Sequence, residues 1–213
     1  TKVGREHEQL SAIIKEMSAK LVQLDFYGDL MCPYCMIAKE RIAEAVVLLA
    51  ARDVEVIIRY NYIPYLLNPD LPETGTTLEE YYQKQYGASR TPAMELPVLN
   101  QICPTISWKV YEPNDKASIG TTVHAHRLVQ WSAQFGPDVQ EQLVDGLMRL
   151  YFLEVELLSS FDNLVKVGVA AGLDGAKALA YLKSDDGRQA ILDRSAEVKK
   201  SKTKSIPLMV AKA

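Results

Sequence analysis

The sequence predicts an α/β fold, and three observations lead to this prediction. Residues 21–27 and 54–63 are rich in apolar, β-branched and aromatic side chains, which is typical of strands. Residues 36–51, between them, place apolar side chains at helical spacing. Residues 206–212 indicate a third strand, after a long segment of helical pattern. The first two strands and their connecting helix therefore form a βαβ unit with parallel strands and a right-handed crossover.

This order of elements indicates a thioredoxin-like core with a large all-helical insertion between the second and third core strands. The core comprises residues 21–63 and 204–213, the insertion comprises residues 64–203, and residues 1–20 form an N-terminal helix or tail. The insertion is far longer than an ordinary connection between strands. A complete core would add a strand and a closing helix, and the sequence given ends at Ala213 before either.

The link between the first strand and the first helix carries the most informative motif, Cys32-Pro33-Tyr34-Cys35. Two thiols at this spacing can close a small disulfide ring. The start of a helix supplies unpaired N–H groups and a positive dipole end, which stabilise a thiolate. Pro33 suits the first helical turn, where its missing N–H is not needed. The motif therefore predicts a cysteine pair that exchanges disulfides at the carboxyl end of a strand.

The position of each thiol predicts its role. Cys32, at the helix N-terminus, is expected to be the more exposed sulfur and the nucleophile, and Cys35, one turn further along, the resolving thiol. Two alternatives stay open, an inert buried thiol pair and half of a zinc site completed by Cys103, His124 or His126. The spacing of the two histidines does not match a zinc finger, so no metal is expected.

The insertion is predicted to contain a series of helices. Thr77 and Glu80 form a capping box at the start of the first helix. Pro97 is expected to interrupt the second, because proline lacks the N–H that a helix interior needs. The predicted helices cover residues 78–86, 90–103, 121–135, 138–155, 160–171, 175–182 and 187–200.

Pro207 opens the last strand, where its lack of a ladder N–H is tolerated. In a thioredoxin-like fold this position carries a cis-proline beside the disulfide, and the backbone of the neighbouring Ile206 offers hydrogen bonds to an extended substrate. The alternative is a trans proline at the start of a strand. Pro33, Tyr34, Ile206 and Pro207 are therefore the predicted substrate-binding residues.

Few other residues in the sequence are candidates for a role in the reaction. Asp29 either caps the redox helix or raises the thiol pKa values by its charge. Cys103 is expected to be a small buried side chain, with a third redox thiol as the alternative. His124 and His126 are two residues apart, so on a helix they point to different sides and are expected to serve packing rather than catalysis.

Composition and charge narrow the function classes. The 213 residues are 48% hydrophobic and 24% charged, which is ordinary for a globular protein, and the net charge of −3 disfavours nucleic-acid binding. No apolar run approaches the roughly 20 residues that span a bilayer, and no secretory signal is visible at the N-terminus. Three cysteines are too few for a structural disulfide framework, so a cytoplasmic redox protein is expected. The sequence gives no indication of the oligomeric state.

Several motifs resemble those of DsbA-like oxidoreductases of the FrnE type. Residues 28–35 resemble that family's Asp-x-x-Cys-Pro-Trp-Cys signature, with Tyr34 in place of the tryptophan. Residues 64–75 resemble its Pro-Phe-x-Leu-Asn-Pro-Asp-Met-Pro loop, and residues 125–128 are similar to part of its helical block. Residues 171–174 are similar to its Ala-Gly-Leu-Asp turn between two helices. Residues 205–208, Ser-Ile-Pro-Leu, stand where the family usually has Gly-Val-Pro-x.

The resemblance implies a dithiol-disulfide oxidoreductase that acts through Cys32 and Cys35. It implies no tightly bound cofactor, with thiol or disulfide client proteins or glutathione as partners and glutathione as a candidate co-substrate. Two alternatives stay open. One is a glutathione-dependent isomerase or transferase on the same fold, as in the related 2-hydroxychromene-2-carboxylate isomerases and kappa glutathione transferases, which typically place serine at the active centre. The other is a non-catalytic peptide-binding module.

Overall fold

A computed structural model describes residues 19–112, 116–201, 203 and 205–212. Residues 1–18 lie outside this range, and most of the predicted N-terminal helix or tail falls there. The first strand, β1, spans Lys20–Gly28. Helix α1, Pro33–Ala50, connects it to strand β2, Val56–Pro64. The two strands pair in parallel, which confirms the predicted βαβ unit.

The insertion is mainly helical, as the sequence predicts. Short 3-10 turns at residues 87–89, 109–111 and 133–135 accompany its helices. The elements in chain order are β3 (Thr76–Thr77), α2 (Leu78–Tyr86), α3 (Pro92–Ile102), β4 (Ser118–Ile119), α4 (Val123–Ser132), α5 (Pro137–Phe152), α6 (Phe161–Ala170), α7 (Gly175–Lys183) and α8 (Arg188–Lys200).

Three details of the insertion differ from the prediction. Strands β3 and β4 form a two-residue antiparallel ladder, which is too short to leave a periodic pattern in the sequence. Helix α3 runs through Pro97, because the carbonyl that loses its helical partner belongs to the exposed Ala93 and can turn to water. Helix α5 ends before residue 155, where Val155 has a left-handed φ of 64° that no α-helix accommodates.

The last strand, β5, spans Leu208–Lys212 and pairs antiparallel with β1, so the sheet order is β2-β1-β5. The Ile206–Pro207 peptide bond that precedes β5 is cis. Leu208, at the start of β5, lies opposite Tyr27 near the end of β1.

The insertion and the core share one hydrophobic interior. A single cluster of buried side chains joins Phe26 on β1 and Ile37 on α1 to Leu99, Leu147 and Leu164 of the insertion helices. A smaller cluster links Ile191 on α8 to Leu66 and Val123. The insertion therefore packs directly on the elements that carry the cysteine motif. No helix in the described part of the chain combines the length and apolarity needed to cross a membrane.

Candidate active site

The cysteine motif lies where β1 gives way to α1. Cys32 is the residue that precedes the first helical turn, and its amide N–H donates to the Asp29 carbonyl at 3.1 Å. The amides of Cys35 and Met36 both donate to the Cys32 carbonyl, at 3.0 and 3.3 Å. Cys35 therefore sits in the first turn directly beside Cys32, and both are free thiols in this structure.

Both sulfurs are more enclosed than the motif suggests. Cys32 is 4% exposed and Cys35 is fully buried, so Cys32 is the more exposed of the two, by only a small margin. Both values are low because the insertion covers this end of the sheet with side chains such as Tyr82 and Tyr151. The space beside Cys32 is therefore a cavity rather than an open surface.

The two thiols differ in acidity. A hydrogen bond from the Cys35 thiol lowers the pKa of Cys32, and the backbone amides of Cys35 and Tyr34 add to this effect. Burial and the negative charge of Asp29 oppose it, without reversing it. Cys32 is therefore the sulfur that ionises first, as expected for a nucleophile at a helix N-terminus.

Burial raises the pKa of the Cys35 thiol well above its ordinary value, and its contact with Cys32 raises it further. The enclosure is tight on the side of β1. A Cβ atom placed on Gly28 would lie 3.0 Å from the Cys35 sulfur and 2.6 Å from a ring carbon of Phe26. Cys35 is thus held as a protonated thiol against the end of the strand.

Asp29 is not the N-cap residue of the redox helix, because Cys32 holds that position and makes no side-chain capping hydrogen bond. Its carboxylate instead accepts hydrogen bonds from the Leu67 amide, at 2.7 Å, and contacts Nε2 of His126 at 3.2 Å. Asp29 and His126 are both buried. The charge of Asp29 raises the pKa of both Cys32 and Cys35, so the predicted effect on the thiols has the direction seen here.

A cavity of about 620 Å³ opens beside Cys32, and tyrosine dominates its walls. The chain has eleven tyrosines and only four phenylalanines. The tyrosines that line the cavity, seven in all, are Tyr34, Tyr65, Tyr81, Tyr82, Tyr86, Tyr111 and Tyr151. Sequence reasoning singled out only Tyr34, because the others come from segments far apart in the chain. The high tyrosine count was the one available signal.

Three of the four predicted substrate-binding residues, Pro33, Tyr34 and Ile206, line this cavity, and Pro207 follows Ile206 through the cis bond. The cavity also contains one ion pair. Arg90 donates from both Nε and Nη2 to the carboxylate of Glu95, and the Nη2 contact measures 2.9 Å.

The remaining candidate residues lie in other surroundings. His124 contacts Glu73 at 3.1 Å and Arg127 at 2.8 Å, whereas His126 contacts Asp29. Cys103 is buried, with its sulfur 3.3 Å from the Thr105 hydroxyl, in line with a packing role. Among the residues that the structure describes, no three His, Cys, Asp or Glu side chains are grouped so as to hold a metal ion.

Residues 23–212 match the DSBA-like thioredoxin domain. The chain belongs to this family. No curated protein matches the sequence of this DSBA-like domain.

Solved structures share the fold of this DSBA-like domain. A probable DsbA oxidoreductase from Streptomyces coelicolor superimposes with a TM-score of 0.68 at 21% identity, over 89% of this chain and 80% of that one. The cytosolic disulfide reductase DsbM from Pseudomonas aeruginosa, solved with GSH, gives 0.58 at 11% identity, over 88% and 84%. A 2-hydroxychromene-2-carboxylate isomerase gives 0.51 at 16% identity, also over 88% and 84%. The fold therefore occurs in both oxidoreductases and isomerases.

Proposed function

We propose that this DSBA-like domain is a thiol-disulfide oxidoreductase of the FrnE type, with Cys32 as nucleophile and Cys35 as resolving thiol. The observation that carries the proposal is the placement of Cys35 beside Cys32 in the first turn of α1, fixed by the amides of Cys35 and Met36 that donate to the Cys32 carbonyl. In this arrangement the pKa of Cys32 is lowered by the Cys35 thiol and burial raises that of Cys35, so Cys32 is suited to attack and Cys35 to resolve.

The exchange takes place in two steps. The Cys32 thiolate attacks one sulfur of a substrate disulfide, a Cys32–substrate disulfide forms, and the other substrate sulfur leaves as a thiolate that takes up a proton. Cys35 then loses its proton and attacks the Cys32 sulfur. This step forms the Cys32–Cys35 disulfide and releases the second substrate thiol, so the substrate is reduced by two electrons and the protein is oxidised. The reverse sequence oxidises a dithiol substrate.

The proposal also assigns the substrate-binding residues, the partners and the location of the protein. Pro33, Tyr34, Ile206 and Pro207 contact the substrate beside Cys32, three of them as walls of the cavity. Thiol or disulfide client proteins or glutathione are the candidate partners, glutathione is a candidate co-substrate, and no cofactor is tightly bound. The low cysteine count favours a cytoplasmic location.

The second thiol favours disulfide exchange over the alternative functions. A glutathione-dependent isomerase or transferase needs no resolving thiol, and here Cys35 is placed in hydrogen-bond contact with Cys32. A peptide-binding module needs no acidic thiol. Net oxidation of the Cys32–Cys35 pair during turnover would distinguish disulfide exchange from isomerase or transferase activity and from peptide binding.

A trapping experiment tests the proposed function. In the Cys35→Ser variant, Cys32 can attack bis(2-hydroxyethyl) disulfide but nothing expels the product, so intact-mass spectrometry should show one hydroxyethylthio adduct that dithiothreitol removes. Cys32→Ser should show none. Cys103→Ala, outside the cavity, serves as the matched control and should form the Cys32–Cys35 disulfide without an adduct. A Cys35→Ser protein that stays unmodified, or is modified at Cys103, contradicts the proposal.

A further inference from the structure

We infer that the preferred substrate of Cys32 is a small, uncharged disulfide that carries an aromatic ring close to its sulfur. This inference rests on the proposed function and deepens it by naming the substrate class. It starts from the tyrosine-lined cavity, the concave space of about 620 Å³ beside Cys32 whose walls hold seven of the eleven tyrosines.

The aromatic walls are assembled from separate elements. Helix α2 supplies Tyr81, Tyr82 and Tyr86, while Tyr111 follows α3 and Tyr151 belongs to α5. The Tyr82 ring contacts those of Tyr81 and Tyr86 edge to face, with centroids 6.0 and 5.3 Å apart. Aromatic rings gain from edge-to-face and offset contacts beyond the area they bury. A ring on the substrate would therefore extend a cluster that already exists.

The charges of the cavity disfavour an ionic substrate. Of the described residues that line it, Arg90 and Glu95 are the charged pair, and they bind each other through two hydrogen bonds. Burial raises the pKa of Tyr111 and of Tyr151, so their hydroxyls are neutral at physiological pH. Among the described residues that line this space, none would offer an unpaired cation to an entering carboxylate in exchange for its lost water. Lys199 lies over the Tyr65 ring at 5.3 Å but is not part of this lining. Glutathione, which carries two carboxylates, is therefore expected to react more slowly than an uncharged disulfide.

The size of the cavity favours a small molecule. Pockets for small ligands usually measure about 300–1,000 Å³ and bury most of the ligand, and the cavity lies within this range. Such a space holds one or two ring-bearing groups and the disulfide between them. The Cys32 thiolate would attack the nearer sulfur, form a bond to it and release the other half as a thiolate that takes up a proton. Cys35 would then displace the remaining half by the second step described above.

The test compares three alkyl disulfides with similar sulfur chemistry. They are bis[2-(4-hydroxyphenyl)ethyl] disulfide, bis(2-hydroxyethyl) disulfide and glutathione disulfide. Adduct formation on Cys32 of the Cys35→Ser protein is followed by intact mass, and each rate is divided by the rate with free N-acetylcysteine. We expect the normalised rate for the aromatic disulfide to exceed that for the hydroxyethyl compound by about tenfold, since its ring adds aromatic contacts with the tyrosine walls. Glutathione disulfide should be the slowest.

Variants locate the effect in the cavity. Tyr81→Ala and Tyr86→Ala, at its partly exposed wall, should each reduce the ratio of the aromatic to the hydroxyethyl rate several-fold. Tyr81→Leu, which keeps the bulk but removes the ring, should also lower the ratio. Phe135→Ala removes an exposed aromatic side chain outside the cavity and should leave the ratio unchanged.

The outcomes separate the inference from the proposed function. Adducts that form on Cys32 at equal normalised rates with all three compounds would overturn the aromatic preference and leave the exchange reaction standing. If no adduct forms on Cys32 with any of the three compounds, both the aromatic preference and the proposed exchange reaction are contradicted. A glutathione disulfide rate equal to or above the rate of the aromatic disulfide also overturns the inference.

A peptide disulfide tests the preference for a small molecule. A peptide disulfide with phenylalanine next to cysteine should react more slowly than the small aromatic disulfide, and a faster reaction would overturn the small-molecule assignment.

Discussion

The Cys35 thiol donates a hydrogen bond to the sulfur of Cys32, and this contact moves the acidities of the two residues in opposite directions. The pKa of Cys32 is lowered because the bond stabilises its thiolate. The pKa of Cys35 is raised, first by burial and then because its proton is engaged in that bond. The hydrogen bond therefore determines which of the two sulfurs reacts first. Single substitutions at and around the two cysteines test this conclusion.

The order of alkylation should follow these acidities. Below the ordinary thiol pKa, iodoacetamide should modify Cys32 first, because the thiolate is the reactive form and the pKa of Cys32 is lowered whereas that of Cys35 is raised. Cys32 also lines the cavity, and Cys103 does not. Brief treatment at about pH 6.5, followed by peptide mass mapping, would show the order. Faster labelling at Cys35 or Cys103 would reverse the assignment of the nucleophile.

Replacing Cys35 by serine or alanine isolates the hydrogen bond. Serine keeps a hydroxyl donor beside Cys32, whereas alanine does not, so Cys32 should be less acidic in Cys35→Ala than in Cys35→Ser. A hydrogen bond to a charged group contributes about 1.5–3 kcal/mol, so alkylation near pH 6 should be about tenfold slower in the alanine variant. Rates measured from pH 5 to 10 would give both profiles. Coincident profiles would show that the hydrogen bond does not set the acidity of Cys32.

Asp29→Asn should make both thiols more acidic. The negative charge of Asp29 raises the pKa of Cys32 and of Cys35, and asparagine removes the charge while its carbonyl can still accept from the Leu67 amide. The alkylation profile of Cys32 should therefore move to lower pH. Asp174→Asn, at the exposed start of α7, is a matched control for the loss of one carboxylate and should leave the profile in place. A shift to higher pH in Asp29→Asn would be the opposite of what its charge predicts.

Gly28→Ala should destabilise the protein by about 1–3 kcal/mol, the usual cost of overpacking a tight interior. The added methyl group would lie 2.6 Å from a ring carbon of the buried Phe26 and 3.0 Å from the Cys35 sulfur. Urea unfolding of the reduced protein measures the change in the free energy of unfolding. Adding Phe26→Leu should recover part of the loss relative to the two single variants, since it removes the ring that the methyl group meets. If the free energy of unfolding lost in the double variant equals the sum of the losses in the two single variants, the added methyl group does not contact the Phe26 ring.

His124 should make the protein less stable in mild acid. Burial lowers its pKa in the folded state, the charges of Arg127 and Arg188 act in the same direction, and Glu73 opposes them. The unfolded chain therefore binds this proton at a higher pH than the folded one, so the contribution of neutral His124 is present above about pH 6.5 and is lost as the pH falls. Urea unfolding at pH 7.5 and 5.5 should show a smaller difference for His124→Gln than for the wild type. An unchanged difference would mean that other groups carry the pH dependence.

The sequence by itself determined the βαβ unit and the place of the cysteine motif within it. These features depend on local physics, because periodicity, helix caps and the CxxC spacing act over a few residues. The start of α2 is an example, since Thr77 accepts from the Glu80 amide while the Glu80 carboxylate accepts from the Thr77 amide. The sequence pattern did not indicate that β5 pairs antiparallel with β1. The direction of β5 depends on where the insertion ends relative to the sheet.

Only the tertiary structure decided what surrounds the thiols. Asp29 and His126 are 97 residues apart in the chain, yet their side chains meet in the interior. The tyrosine-lined cavity likewise draws Tyr81 from α2 and Tyr151 from α5, and no local pattern marks either as part of a site. The same packing buries Cys32 almost as fully as Cys35, a degree of enclosure that the motif alone does not specify. Local propensities specify single elements, but the environment of a sulfur depends on which distant side chains the closed fold places against it.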